Sequence, residues 1–175
     1  NMAITRLGGA TAITGTIPQG NIANASLGAV TALPGAIATG TVLQTISATT
    51  TSSVATSSTT PVTTGLTANI TPSATSSKIQ ILCLGGEIDT GANGRAGSPT
   101  IYRDSTNLGN GSTGMGSIYG TSSRIQAIPS VGYLDSPSST SQITYALYFR
   151  SGGGNAITFD ANACKASIIL MEIAG

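Results

Sequence analysis

The chain ends in Lys165-Ala-Ser-Ile-Ile-Leu-Met-Glu-Ile-Ala-Gly175, written KASIILMEIAG. A β-strand alternates its side chains between two faces, so a strand through Ile168, Ile169, Leu170 and Met171 points apolar groups out of both. Each face then needs a cover. Burying Ile169, Met171 and Ile173, which share one face, is worth roughly 1.5–3 kcal/mol per residue, or on the order of 4–9 kcal/mol together. Whole domains are stable by only about 5–15 kcal/mol. Material for a second layer is scarce, because Ser, Thr, Gly and Ala make up 94 of the 175 residues and aromatic residues only 4%. With no helical segment to cover the strand, a second copy of the same chain is the expected cover.

Disorder does not account for this composition. Disordered chains combine low hydrophobicity with high net charge, whereas 39% of these residues are hydrophobic and the formal net charge is +1. Strands are expected over 42–48, 60–70, 78–88, 99–103, 123–128, 142–149, 156–160 and 164–173. Ile143, Tyr145, Leu147 and Phe149 alternate most clearly, with Thr144, Ala146 and Tyr148 on the other face. Gly- and Ser-rich turns separate the strands, and the Ser/Thr run 49–60 is either a polar edge strand or a mobile connection. The pattern predicts an all-β, antiparallel sandwich of jelly-roll-like type over 41–175.

Residues 1–40 differ, with single apolar residues spaced by Gly, Ala, Thr and Pro and neither a 3.6-residue nor a 2-residue period. An extended arm without a core of its own is expected there, used for trimerisation and attachment. Three arms winding about one axis would bury their sparse apolar residues against each other.

Composition narrows the chemistry. The seven Lys and Arg residues are scattered singly, so no basic field steers nucleic acid or an anionic membrane. No stretch reaches the ~18 apolar residues of a membrane span, and the opening NMAITRLGGATAITG lacks a signal-peptide block, so a soluble chain outside the Sec route is expected. The absence of His excludes Ser-His-Asp and Cys-His nucleophiles. Glu87 and Asp89 are the only local carboxylate pair for glycosidase chemistry, and a solvated strand end explains them better. Asp89 or Asp160 with loop carbonyls could serve calcium, but no D-x-D-x-D loop exists, and neither a metal nor a cofactor is expected. Gly109-Asn-Gly-Ser-Thr-Gly114 matches G-x-G-x-x-G without the strand before it or the helix after it that nucleotide binding requires. Cys83 and Cys164 read as two buried structural thiols, with a disulfide left open if their strands are neighbours. Adaptable recognition surfaces pair Tyr with Asn, and Asn93, Arg95, Asn107, Asn110 and Tyr119 in the glycine-rich loops are the candidate receptor contacts. Ile169, Met171 and Ile173 are the candidate trimer contacts.

The runs TGLTANITPSATSSKIQILCLGGE and GYLDSPSSTSQITYALYF and the ending SIILMEIAG resemble the C-terminal head domain of short fibre-type structural proteins of tailed bacteriophages, notably phages of marine bacteria. The resemblance covers roughly residues 41–175, and the ending is its most specific part. It implies a trimeric virion appendage with a β-sandwich head, assembled in the host cytoplasm with other virion proteins and displayed on the particle, where it could meet host glycans. No catalytic motif comes with it. A capsid decoration protein would look much the same in sequence, while a glycan-cleaving tailspike is disfavoured by the scarcity of carboxylates.

Overall fold

The computed structural model describes residues 40–175, so the expected arm over 1–40 lies outside the described residues apart from Gly40. Thirteen strands follow in order: β1 Val42–Thr50, β2 Val54–Thr56, β3 Val62–Ile70, β4 Lys78–Gly85, β5 Ile88–Asp89, β6 Arg95–Arg103, β7 Thr106–Asn107, β8 Ile118–Gly120, β9 Gln126–Ala127, β10 Val131–Asp135, β11 Ile143–Ser151, β12 Ile157–Phe159 and β13 Ala166–Ile173. They form three antiparallel sheets, ordered β1-β13-β4-β10, β3-β11-β6-β7 with β8 also on β6, and β2-β12-β5-β9. The expected all-β sandwich is the observed architecture. The longer strands β1, β3, β4, β6, β10, β11 and β13 alternate between the first two sheets as the chain proceeds, the jelly-roll habit of crossing the core instead of turning back in hairpins.

The core lies between those sheets. The first sheet contributes Ile79, Ile81, Cys83, Ile168 and Leu170, and the second contributes Leu66, Ile70, Ile101, Tyr145, Leu147 and Phe149, all buried. The alternation read in β11 holds, since Ile143, Tyr145, Leu147 and Phe149 all face inward. Where β11 uses the single residue Leu147, β3 uses Thr64, Gly65 and Leu66. Gly65 takes a φ of +81°, which favours glycine, and the Thr64 hydroxyl donates to the Leu147 carbonyl at 2.8 Å, satisfying an acceptor the bulge would strand.

Several boundaries differ from expectation. The run 78–88 breaks at Gly85 and Gly86, both with positive φ, so β4 ends in the first sheet and Ile88 begins β5 in the third. Of 123–128 only Gln126–Ala127 pairs, and the polar run 49–60 supplies the end of β1 and all of β2. β10, VGYLD, is a strand that alternation alone does not reveal; its register against β4 supplies it. Cys83 is buried, and burial pushes its thiol pKa up to about 12. Cys164, expected to be buried, is exposed in the turn before β13, and both cysteines are free thiols.

One polar cluster ties the two main sheets together. Buried Tyr145 on β11 donates its hydroxyl to Asp135 Oδ2 on β10 at 2.7 Å, and Arg103 Nη1 on β6 donates to both Asp135 oxygens at 3.1 and 3.0 Å. Burial, and then the Asp135 carboxylate, raise the Tyr145 pKa far above the ordinary phenol value. Tyr145→Phe removes one charge-assisted bond while leaving the Arg103 pair, so a loss of about 1.5–3 kcal/mol is expected in urea unfolding. An unchanged midpoint would show that the hydroxyl does not link the sheets.

Candidate functional site

The two-sided strand resolves as the alternation demands. Along β13, Ala166, Ile168, Leu170 and Glu172 are buried, while Ser167, Ile169, Met171 and Ile173 face outward and are half-buried. Opposite residues in an antiparallel ladder share a face. On β4, Leu84, Leu82, Gln80 and Lys78 stand opposite those four, and on β1 the partners are Thr49, Ser47, Thr45 and Val42. Gly132 and Leu134 of β10 continue the face beyond Leu82 and Gln80. The outer face therefore carries an apolar stripe through Ile169, Met171, Leu82, Leu84 and Leu134, with a hydroxyl-rich margin on β1. Leu84 and Leu134 remain 41% and 46% exposed. The neighbouring strands already shield Ile169, Met171 and Ile173 in part, so only a fraction of the 4–9 kcal/mol estimated above is left for a partner surface. Leu82, Leu84 and Leu134 were not singled out in the sequence, although the L-C-L alternation of β4 signals the first two.

The loop candidates sit along the side of β6 away from its β11 neighbour. Residues 104–117 leave β6 at Arg103, pair back through β7, and run antiparallel to it, with Leu108 N donating to Ile101 O at 2.9 Å and Met115 N to Pro99 O at 2.8 Å. β8 then pairs with Arg95, Ala96 and Gly97. Tyr119 lies opposite Ala96 and is 55% exposed, Asn93 is exposed in the preceding turn, and Arg95 directs Nη1 to the Ala156 carbonyl at 2.9 Å. Those three form one end of that side. Asn107, opposite Tyr102, lies at the other, six residues or about 20 Å farther along β6 at strand rise, with Asn110 in the loop that follows it. Asn107 Oδ1 accepts from the Thr100 hydroxyl at 2.5 Å and Gly109 N at 2.9 Å, a brace for the loop. Asn110 Oδ1 accepts from Ser112 N at 2.7 Å and Thr113 N at 3.2 Å, and an Asn110–Gly114 bridge closes the G-x-G-x-x-G segment as a tight loop with no helix behind it. No enclosed pocket forms among the described residues.

The expected carboxylate pair separates in character. Asp89 is buried beneath Arg124, which pairs with both its oxygens, and accepts from Gly91 N at 2.8 Å. The Arg124 hydrogen bond holds the Asp89 pKa below the usual carboxylate range, the reverse of what a general acid requires. Glu87 precedes β5 and accepts from Asn162 Nδ2 at 2.6 Å and Gln126 Nε2 at 3.2 Å. No group of three or more His, Cys, Asp or Glu side chains suited to a metal occurs among the described residues.

No family model matches the chain, and no curated protein matches it. Among solved structures, the infectious bursal disease virus VP2 subviral particle is similar at a TM-score of 0.38 and 17% identity, over 75% of this chain and 40% of that one, so the chain spans well under half of that protein's length.

Proposed function

We propose that this chain is a non-enzymatic virion structural protein, a homotrimeric tail fibre or similar appendage of a tailed phage. In this reading residues 1–40 attach it to the particle, and the sandwich turns its loop edge outward toward host surface glycans. The observation that carries the reading is the apolar outer face of the first sheet. Lys78 at its margin is the one charged residue among the outward positions of β1, β4, β10 and β13, and depletion of charge at the centre is how surfaces that meet other protein surfaces are composed. The occupant is another copy of the chain, since fibre-type proteins of the kind this sequence resembles assemble as trimers. The resembling runs support the same assignment, because they fall on β3 and β4, on β10 and most of β11, and on β13, the strands that build both main sheets. Loop sites of low individual affinity would act through multivalency, which three linked heads provide without a deep pocket.

Sedimentation of the full chain at micromolar concentration is expected to show a species near three times its 17.2 kDa mass. A folded lone subunit would overturn the proposal. Microscopy of the particle separates the fibre from a capsid decoration protein: density on the shell at local three-fold positions would replace the fibre assignment with the decoration one.

A further inference from the structure

Five of the six carboxylates have hydrogen-bond donors. Asp89 has Arg124 and Gly91 N, Asp135 has Arg103 and Tyr145, Asp104 has Thr144 N, Glu87 has Asn162 and Gln126, and Glu172 has Ser73, Ser77 and Gln44. Asp160 is the exception. It is 0% exposed, and neither carboxylate oxygen has a hydrogen-bond partner. The Cys164 backbone N–H acts on it in favour of the ionised form, but burial outweighs that help. An ionised carboxylate cannot be buried without compensation except at a cost of several kcal/mol, so this site calls for a bound proton, an ordered water or a bound cation.

Two tight turns bring the Glu87 backbone against it. Gly85, Gly86 and Glu87 pack against residues 159–166: a Cβ at Gly85 would overlap the Lys165 carbonyl oxygen, and one at Gly86 would meet the Phe159 ring at 2.8 Å. Asp160 N donates to the Glu87 carbonyl at 2.7 Å, and Ala163 N donates back to the Asp160 carbonyl at 3.1 Å. Glu87 lies near enough that its charge, after burial, helps raise the Asp160 pKa. Neither residue has a salt-bridge partner among the described residues, where the ion pairs are Arg103–Asp135 and Arg124–Asp89. The Glu87 Oε1 oxygen already accepts from Asn162 and Gln126, and Oε2 receives no donor among the described residues.

We infer that the 85–87 and 160–165 turns form a calcium site, with the Asp160 carboxylate and Glu87 Oε2 as its anionic ligands. Two carboxylates, turn carbonyls and water supply the six to eight oxygens that calcium takes in flexible geometry. With neither His nor a third acidic group, the site does not suit zinc or its neighbours. The role is structural: the ion would lock the end of β12 to the β4–β5 turn, where the chain passes between the first and third sheets.

The full chain, dialysed against chelator, is tested by thermal unfolding with calcium chloride and with excess EDTA. The expected result is a saturable rise in Tm of about 5–10 °C at calcium a hundredfold above its dissociation constant. Asp160→Asn should abolish the rise, and Asp104→Asn, an exposed carboxylate elsewhere, should keep it. If Asp160→Asn does not fold, calorimetric titration of Glu87→Gln should show calcium affinity reduced at least about tenfold, the loss of one charged ligand. Equal Tm values in calcium and EDTA, or a calcium response unchanged in these variants, would overturn the site and leave a protonated or water-bonded Asp160 as its resolution.

Discussion

Glu172→Ala is expected to lower the unfolding free energy by about 3–5 kcal/mol, the cost of leaving several buried donors without the acceptor they share. Glu172 sits on the inward face of β13, fully buried, at a place where the alternation of the strand would otherwise put an apolar residue. Its Oε1 accepts from Ser73 N at 2.7 Å, from the Ser73 hydroxyl at 2.6 Å and from the Ser77 hydroxyl at 2.7 Å. Oε2 accepts from Gln44 Nε2 at 2.6 Å, and the same amide reaches the Thr71 carbonyl at 2.8 Å. The carboxylate thus joins the β3–β4 turn to both β1 and β13. Burial alone would raise its pKa, but the donors from Ser73, Gln44 and Ser77 outweigh burial and hold it at about 2.

The sign of the pH dependence follows from that depression. The folded pKa lies below the ordinary value of 4.5, so the contribution is complete above about pH 4.5 and is lost as pH falls toward 2. Urea unfolding of the wild type should therefore lose on the order of 2 kcal/mol over this window relative to Glu172→Gln, whose amide does not titrate. A wild-type-to-variant difference that stays constant from pH 7 to pH 2.5 would refute the assignment.

The second large effect concerns assembly. Leu82 and Ile169 are register partners on the outer face, so Leu82→Lys with Ile169→Glu places opposite charges directly across the ladder. Such a pair is tolerated within a sheet, and the isolated head should lose no more than about 1 kcal/mol. In the proposed assembly the same two charges must leave water between copies, and the association constant is expected to fall by about 10³-fold or more. Sedimentation velocity at matched concentrations reads this as conversion to a folded monomer. An assembly of unchanged mass would move the interface away from this sheet, and an unfolded variant would be detected by its lost near-ultraviolet circular dichroism.

Much of the sandwich was legible because alternation is a local property. The β11 run from Ile143 to Phe149, the two faces of β13 and the absence of helix among the described residues need only side-chain size and a period of two. Loop chemistry was less legible. Asn107 and Asn110 have the composition of a recognition surface, yet the Asn107 amide oxygen braces Thr100 and Gly109, and the Asn110 oxygen shapes its own turn. Asn and Ser serve turns and contacts with the same atoms, and only the fold distinguishes the uses. Cys164 misled for a related reason: NACKASI reads as the start of β13, but the strand begins two residues later, at Ala166.

By itself the sequence determined that residues 41–175 form a β-sandwich with one strand apolar on both sides, and that no His is available to its chemistry. These follow from composition and from a period of two, which need no knowledge of what lies across the sheet. The tertiary structure alone decided which carboxylates are satisfied, that Leu82, Leu84 and Leu134 extend the β13 face, and that Glu87 meets Asp160. Those facts depend on pairings between residues tens of positions apart, and register and packing between distant strands are set by the whole fold rather than by any local run.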